Sequence, residues 1–156
     1  INFVRGLFPL TYITMKLNIL WASMWGNAED VAVNFKDIAE SKGHEVDMQE
    51  LNDVSMDALA LMKDAVIVTS TTGQGDLPSN GERFWYALEE TNTSMANLTY
   101  SVCALGDTSH THFCGAGNKV NDRLKELGAS RKKDIQECDG DDTGSEEWFV
   151  DLLENY

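Results

Sequence analysis

The chain has 156 residues, 42% of them hydrophobic, and a formal net charge of -14. That length suits one domain with a substantial core, and no apolar run approaches the ~20 residues needed to span a bilayer. The charge argues against nucleic acid or an anionic membrane surface as a partner and favours a basic protein face, although an acidic surface also simply keeps a chain soluble.

Residues 1–14 stand apart. The chain starts with Ile1 rather than Met, and Met15 comes directly before the first clear strand. The stretch is apolar, with one arginine and no small-residue cleavage site, so it reads as a leader or a cloning remnant. The domain proper is expected over 15–156.

Lys16 to Trp21 is an apolar strand. It opens into Ala22-Ser23-Met24-Trp25-Gly26-Asn27-Ala28, and a helix follows with Val31, Phe35, Ile38 and Ala39 on one face. Strand, glycine turn and helix start is the layout that offers free backbone N–H groups to a phosphate. Taken alone the loop is equally an ordinary helix start, for which Ser and Asn are good caps. Gly43 ends the helix. Val46 and Met48 alternate with Asp47 and Glu50, which predicts a half-exposed strand near a sheet edge. Ser55 caps a short helix to Met62.

Val66-Ile67-Val68-Thr69 is the apolar run expected of a strand buried on both faces. It changes abruptly into Ser70-Thr71-Thr72-Gly73-Gln74-Gly75-Asp76-Leu77-Pro78. The two glycines reach backbone angles closed to other residues and let a ligand approach the main chain. Gly81 to Glu90 is helical, and its Phe84, Trp85, Tyr86 and Leu88 suit helix–sheet packing. A fourth strand, Thr99 to Leu105, opens into a second long polar loop, Gly106-Asp107-Thr108-Ser109-His110-Thr111-His112-Phe113-Cys114. Asn118 to Leu127 is an amphipathic helix closed by Gly128. A last edge-like strand is expected within 130–136. The final helix, Thr143 to Asn155, carries Trp148, Phe149, Leu152 and Leu153 as its buried stripe.

Strand and helix alternate five times, which predicts a doubly wound three-layer α/β sandwich with a parallel sheet of order 2-1-3-4-5. In that order the ligand crevice lies at the carboxyl ends of the first and third strands, with the fourth beside them. All three unusual loops meet there. A phosphoacceptor reading fails, because strands one and three end in Ala22-Ser23 and Ser70-Thr71 rather than in metal-binding carboxylates. A triphosphate-binding loop would need a lysine that 23–28 lacks. Cys103, Cys114 and Cys138 form no C-x-x-C pair and read as reduced thiols of a cytoplasmic protein, Cys103 in the core and Cys114 as a small buried hydrophobe near the crevice. His44, His110 and His112 have no metal-site spacing. The acidic turn from Asp139 to Gly144 is not a calcium loop, since Val150 stands where the bidentate glutamate belongs.

What remains is a phosphate held by neutral donors and two loops able to sandwich a flat ring. At these residues the chain resembles the flavodoxin family. It is most similar to the FMN-binding domain of sulfite reductase flavoprotein and other diflavin reductases, and to short flavodoxin homologues. Ser70-Thr71-Thr72-Gly73-Gln74-Gly75-Asp76-Leu77-Pro78-Ser79-Asn80 matches the family's second flavin loop, and Leu105-Gly106-Asp107-Thr108-Ser109 with Phe113-Cys114 matches its third. The resemblance runs from about Lys16 to the final helix.

It implies FMN as the cofactor. Ser23, Met24, Trp25, Gly26, Asn27 and Ala28 would wrap the phosphate. Ser70, Thr71, Thr72 and Gly73 would border the ring, with the Gly73 carbonyl able to turn toward a flavin nitrogen. Leu105, Gly106, Asp107, Thr108, Ser109, His110, Thr111, His112, Phe113 and Cys114 would line the other side. None is a catalytic acid or base, because the cofactor carries the redox chemistry. Two residues depart from the family pattern. Trp25 stands where a threonine is usual, so either phosphate affinity is weaker or the indole turns outward. His110 stands where a stacking tyrosine is usual; an imidazole can stack or face solvent, and it can also protonate near neutral pH.

The implied function is a monomeric carrier passing single electrons from a reductase to an acceptor enzyme, both with basic docking faces. Lys119, Arg123, Lys125, Arg131, Lys132 and Lys133 interrupt the acidic field, so docking is expected away from them, near the flavin loops. An FMN domain of a larger diflavin reductase and a flavin-less interaction module of the same fold are the alternatives.

Overall fold

A computed structural model describes residues 14–156. The expectation for the leader falls on 1–13 and so lies outside the described residues. In chain order the elements are β1 (Lys16–Ala22), α1 (Asn27–Ser41), β2 (Glu45–Glu50), a 3-10 turn (Leu51–Asp53), α2 (Met56–Leu61), β3 (Asp64–Thr69), α3 (Ser79–Glu90), β4 (Thr99–Gly106), α4 (Gly115–Glu126), β5 (Ser130–Arg131), β6 (Gln136–Asp139) and α5 (Ser145–Glu154).

The sheet order is β2-β1-β3-β4-β5, with β6 also paired to β4, and every pairing is parallel. The expected order is present, but its fifth position is shared. β5 contributes two residues beside the start of β4, at Thr99 and Tyr100. The chain then leaves the sheet and returns as β6 beside the end of β4, from Cys103 to Gly106. The edge strand expected within 130–136 is therefore two short pieces, and the longer one extends past 136.

Every residue of β3 is buried. Ala65 and Ile67 face one core with Tyr100, Val102, Phe84, Leu88, Val120 and Leu124. Val66 and Val68 face the other, with Phe35, Val31, Cys103, Phe149 and Leu152. Burying one such aliphatic side chain contributes about 1.5–3 kcal/mol. The unbroken β-branched run at 66–68 is what places this strand in the middle of the sheet. On the second face the rings of Phe35 and Phe149 stack with centroids 4.2 Å apart, which locks α1 against α5. Trp148 is buried beside them, and its indole N–H donates to the Asp134 carbonyl at 2.9 Å.

The short helix starts as the sequence requires: the Ser55 hydroxyl accepts from the Ala58 N–H at 3.1 Å. Gly128 closes α4 at φ 97°, a left-handed conformation suited to glycine. The aromatic run in α3 divides. Phe84 is buried, Tyr86 faces solvent, and Trp85 lies under the Lys119 ammonium, 5.4 Å from the ring centre. Tyr86 therefore does not join the helix–sheet packing expected of it; its helical position points it away from the face shared by Phe84 and Leu88. No described helix is long and apolar enough to cross a membrane.

Candidate functional site

Parallel pairing puts the carboxyl ends of β1, β3, β4 and β6 on one edge of the sheet. The chain leaves each of them in a loop, and these loops enclose a cleft of about 680 Å³. That volume lies within the usual range for a small-molecule site.

The first wall is the turn between β1 and α1. Gly26 sits at φ 95° immediately before the helix, a left-handed angle that favours glycine. The Ser23 hydroxyl accepts from the Gly26 N–H at 2.9 Å and from the Ala28 N–H at 3.2 Å, so the turn is curled around its own first side chain. Met24, Trp25 and Asn27 face the cleft, while Ser23, Gly26 and Ala28 shape the turn from behind. The Trp25 indole is 88% exposed. It stands at the rim with Met24 and does not fill the turn.

The second wall follows β3. Ser70 donates its N–H to the Ala22 carbonyl at 3.1 Å, which ties this loop to the first. Thr72 and Asp76 then pair antiparallel through two 2.8 Å bonds, closing a tight hairpin over Gly73 at φ 49° and Gly75 at φ 84°. Ser70, Thr71, Thr72, Gly73 and Gln74 line the cleft. Gly75 lies against Gly115 so closely that a methyl group on Gly115 would come within 2.9 Å of the Gly75 Cα. The Ala116 N–H also donates to the Thr71 hydroxyl at 3.3 Å. The second loop and the start of α4 are thus one packed unit. Lys119 belongs to it as well, with its ammonium 3.3 Å from the Asp76 carboxylate.

The third wall follows β4. Leu105, Gly106, Asp107, His110, His112, Phe113 and Cys114 line the cleft, whereas Thr108, Ser109 and Thr111 point elsewhere. The Asp107 carboxylate accepts from the Ser109 N–H at 2.8 Å. That bond holds its carboxyl below the ordinary value of 3.8, so Asp107 is ionised at neutral pH. Cys114 ends the loop at φ 53°, an uncommon angle for a residue with a side chain. Its thiol is fully buried, lies 3.5 Å from the Ala104 carbonyl, and is pushed up to about 12 chiefly by burial. It is a protonated packing group at neutral pH. All three cysteines are free and buried.

A fourth contributor, Gly140 and Asp141, comes from the turn after β6. Gly140 donates its N–H to the Gly106 carbonyl at 2.7 Å, which fixes this turn against the third loop. Asp141 accepts from the Thr143 N–H at 2.9 Å and is likewise held low by it. Neither residue belongs to the site expected from sequence, and nor does Gln74. Gln74 lies between the two glycines of the second loop and could have been included on that ground. Gly140 and Asp141 follow only from β6 pairing with the end of β4. Among the described residues the lining contains no Lys or Arg, so an anionic group would meet neutral donors at the first wall and has the carboxylates of Asp107 and Asp141 elsewhere in the cleft.

Comparison with known proteins agrees with this geometry. The family model described as Flavodoxin matches residues 19–150. The chain is 32% identical over 147 residues to the sulfite reductase [NADPH] flavoprotein alpha-component of Bacillus subtilis, covering 93% of this chain and 24% of that protein. Flavodoxin YqcA of Pectobacterium carotovorum is 35% identical over 126 residues, covering 80% of this chain and 82% of that one. Among solved structures, a cysteine-to-alanine mutant of flavodoxin from Pseudomonas aeruginosa superposes with a TM-score of 0.78 at 30% identity, over 90% of this chain and 98% of that one. The chain thus spans about a quarter of the length of the sulfite reductase flavoproteins it matches, and most of the short flavodoxins. It belongs to the flavodoxin family, as an FMN-binding electron-transfer domain.

Proposed function

We propose that this flavodoxin-family domain passes electrons one at a time between a reductase and an acceptor enzyme. The observation that carries the reading is the convergence of three loops, from β1, β3 and β4, on one cleft with a helix N-terminus at one end.

The donor set fits FMN. The phosphate would lie against the turn at 23–28, where Asn27 and the α1 dipole supply neutral donors and positive potential without a charged side chain, while the Gly26 and Ala28 N–H groups are held by the Ser23 hydroxyl. The ring would sit between the second and third loops. Gly73 allows close approach on one side, where an added methyl would still lie 3.5 Å from the nearest Asp76 oxygen; Gly75, which the sequence also suggested for ligand approach, instead packs against Gly115 and His112. His110 and Phe113 offer flat faces on the other side. Bound FMN would supply the one-electron redox chemistry. The chain's own residues orient it, exclude water from the ring's inner edge, and set its electrostatic surroundings. Asp107 and Asp141 place two carboxylates beside the cleft and disfavour added negative charge there.

Partner choice follows from charge. A formal charge of -14 steers the domain toward basic faces, with rates that fall as salt rises. Lys119 lies beside the second loop and pairs with Asp76, so the carboxylates left to face a partner at the cleft are Asp107 of the third loop and Asp141 of the turn after β6. A second reading places the domain within a larger diflavin reductase; its support is the match to about a quarter of the sulfite reductase flavoprotein. In either arrangement the domain does the same chemistry.

Reconstitution with FMN followed by stepwise reduction tests the proposal. The expected result is a bound-flavin absorption spectrum and reduction in two separable one-electron stages. A chain that remains colourless at excess FMN would overturn it and leave an interaction module of the same fold.

A further inference from the structure

The phosphate turn is not held by its own bonds alone. Its first residue, Ser23, donates its backbone N–H to the Asn80 side-chain carbonyl at 3.0 Å. The amide nitrogen of the same Asn80 donates to the Glu50 carboxylate at 2.9 Å. Both bonds are partly buried. The orientation of the amide follows from its partners: a backbone N–H can only donate and an ionised carboxylate can only accept, so Asn80 fits one way round.

These residues come from three elements. Ser23 follows β1, Glu50 ends β2, and Asn80 lies in the first turn of α3. Glu50 is fixed in register opposite Trp21 of β1, two residues before Ser23. The chain Glu50–Asn80–Ser23 therefore transmits the position of the sheet edge and of α3 to the turn. Ser23 then passes it on, since its hydroxyl accepts from the Gly26 and Ala28 N–H groups and sets the curvature of the whole turn. Asn80 neither lines the cleft nor contributes a donor to it.

We propose that Asn80 is a positioning residue for the flavin phosphate, oriented by Glu50 and acting through the Ser23 main chain. The proposal rests on the FMN reading above. Its consequence is selective: loss of Asn80 loosens the phosphate turn and leaves the ring walls at 70–74 and 105–114 unchanged. The variant is expected to fold, because α3 has a separate anchor. Asn52 donates from its amide to the Ser79 carbonyl at 3.0 Å and accepts from the Phe84 N–H at 3.0 Å.

The test compares two ligands that share a ring and differ in the phosphate, FMN and riboflavin, by fluorescence titration of the full chain. In Asn80→Ala, FMN affinity is expected to fall about tenfold, while riboflavin affinity stays within about twofold. Glu50→Ala keeps the bond to Ser23 and loses only the orienting partner. Its FMN affinity is expected to fall about threefold, again without loss for riboflavin. Should Asn80→Ala fail to fold, Glu50→Ala decides the matter by the same ratio. Equal losses for both ligands, or no loss for either, would overturn the positioning role. Wild-type chain that binds neither flavin would defeat the FMN reading and this proposal with it, and so is told apart from failure of the positioning role alone.

Discussion

The first loop, 23–28, and the third, 105–114, rise from one edge of one sheet and are held by different kinds of acceptor. The first is held by neutral acceptors: the Asn80 amide oxygen takes the Ser23 N–H, and the Ser23 hydroxyl gathers two backbone N–H groups. The third is held by carboxylates, one of its own and one from β6. Asp107 bonds Ser109 two residues on, and Asp139 receives both the N–H and the hydroxyl of Thr108 at 2.9 Å. Residues 107–112 are all exposed. One wall of the site is thus held by neutral acceptors, and the other is an exposed loop whose order depends on carboxylates. A phosphate needs a fixed anchor, whereas a ring face that a partner approaches has to remain accessible.

Glycine substitutions should break the two loops by different physics, and these effects are the largest expected. Gly106 forms the floor of the third loop, where an added Cβ would come within 2.7 Å of the Cys114 backbone nitrogen. Neither atom can yield without moving β4 or the start of α4. Gly106→Ala should therefore cost about 2 kcal/mol, read as a lower urea midpoint with unchanged slope. Gly26 has nothing within 4 Å of an added Cβ, and its difficulty is the angle of 95°. Gly26→Ala should cost about 1 kcal/mol from strain alone. Equal costs would mean that packing does not distinguish the loops.

Trp25 sharpens the comparison from the other side. A bulky residue in a phosphate turn raises the expectation of a weakened site, but this indole is 88% exposed and leaves the Ser23 bonds intact. Trp25→Thr should change stability by no more than about 0.5 kcal/mol. It should leave FMN affinity within about twofold of the wild-type chain, by fluorescence titration. Tighter FMN binding in the variant would show that the indole obstructs the phosphate after all.

The sheet order and the three converging loops were legible because they are written in local pattern. An apolar β-branched run at 66–68 followed by Gly73 and Gly75 announces a buried strand with a ligand loop, whatever its neighbours are. The fifth strand position was not legible in the same way. Ser130 and Arg131 make a strand only through Thr99 and Tyr100, and Gln136–Asp139 only through the end of β4. Neither piece is long or periodic enough to declare itself. Gly140 and Asp141 were missed for that reason, since they reach the cleft only once β6 is placed. Asn80 was visible within the second-loop motif, but its contact with Ser23 joins residues 57 apart, and no spacing rule reports it.

The smallest expected effect separates the loops most cleanly. The Ser109 N–H favours the ionised form of Asp107 and holds its carboxyl below 3.8; Thr143 does the same for Asp141. A carboxyl lowered in the folded chain contributes order that is fully present above the unfolded value and is lost as pH falls through the folded one. The window therefore opens below 3.8 and not near neutrality. In the first loop the acceptor is a hydroxyl, which does not titrate there. Amide NMR shifts followed from about pH 5 to about pH 2.5 should show Ser109 and Thr143 each following its own carboxyl partner, Asp107 and Asp141. Asp107→Asn should abolish the Ser109 titration and leave that of Thr143. If Asp107→Asn also shifted the Gly26 amide, the two loops would share one support. The distinction between a wall held by neutral acceptors and a wall held by carboxylates would then fail.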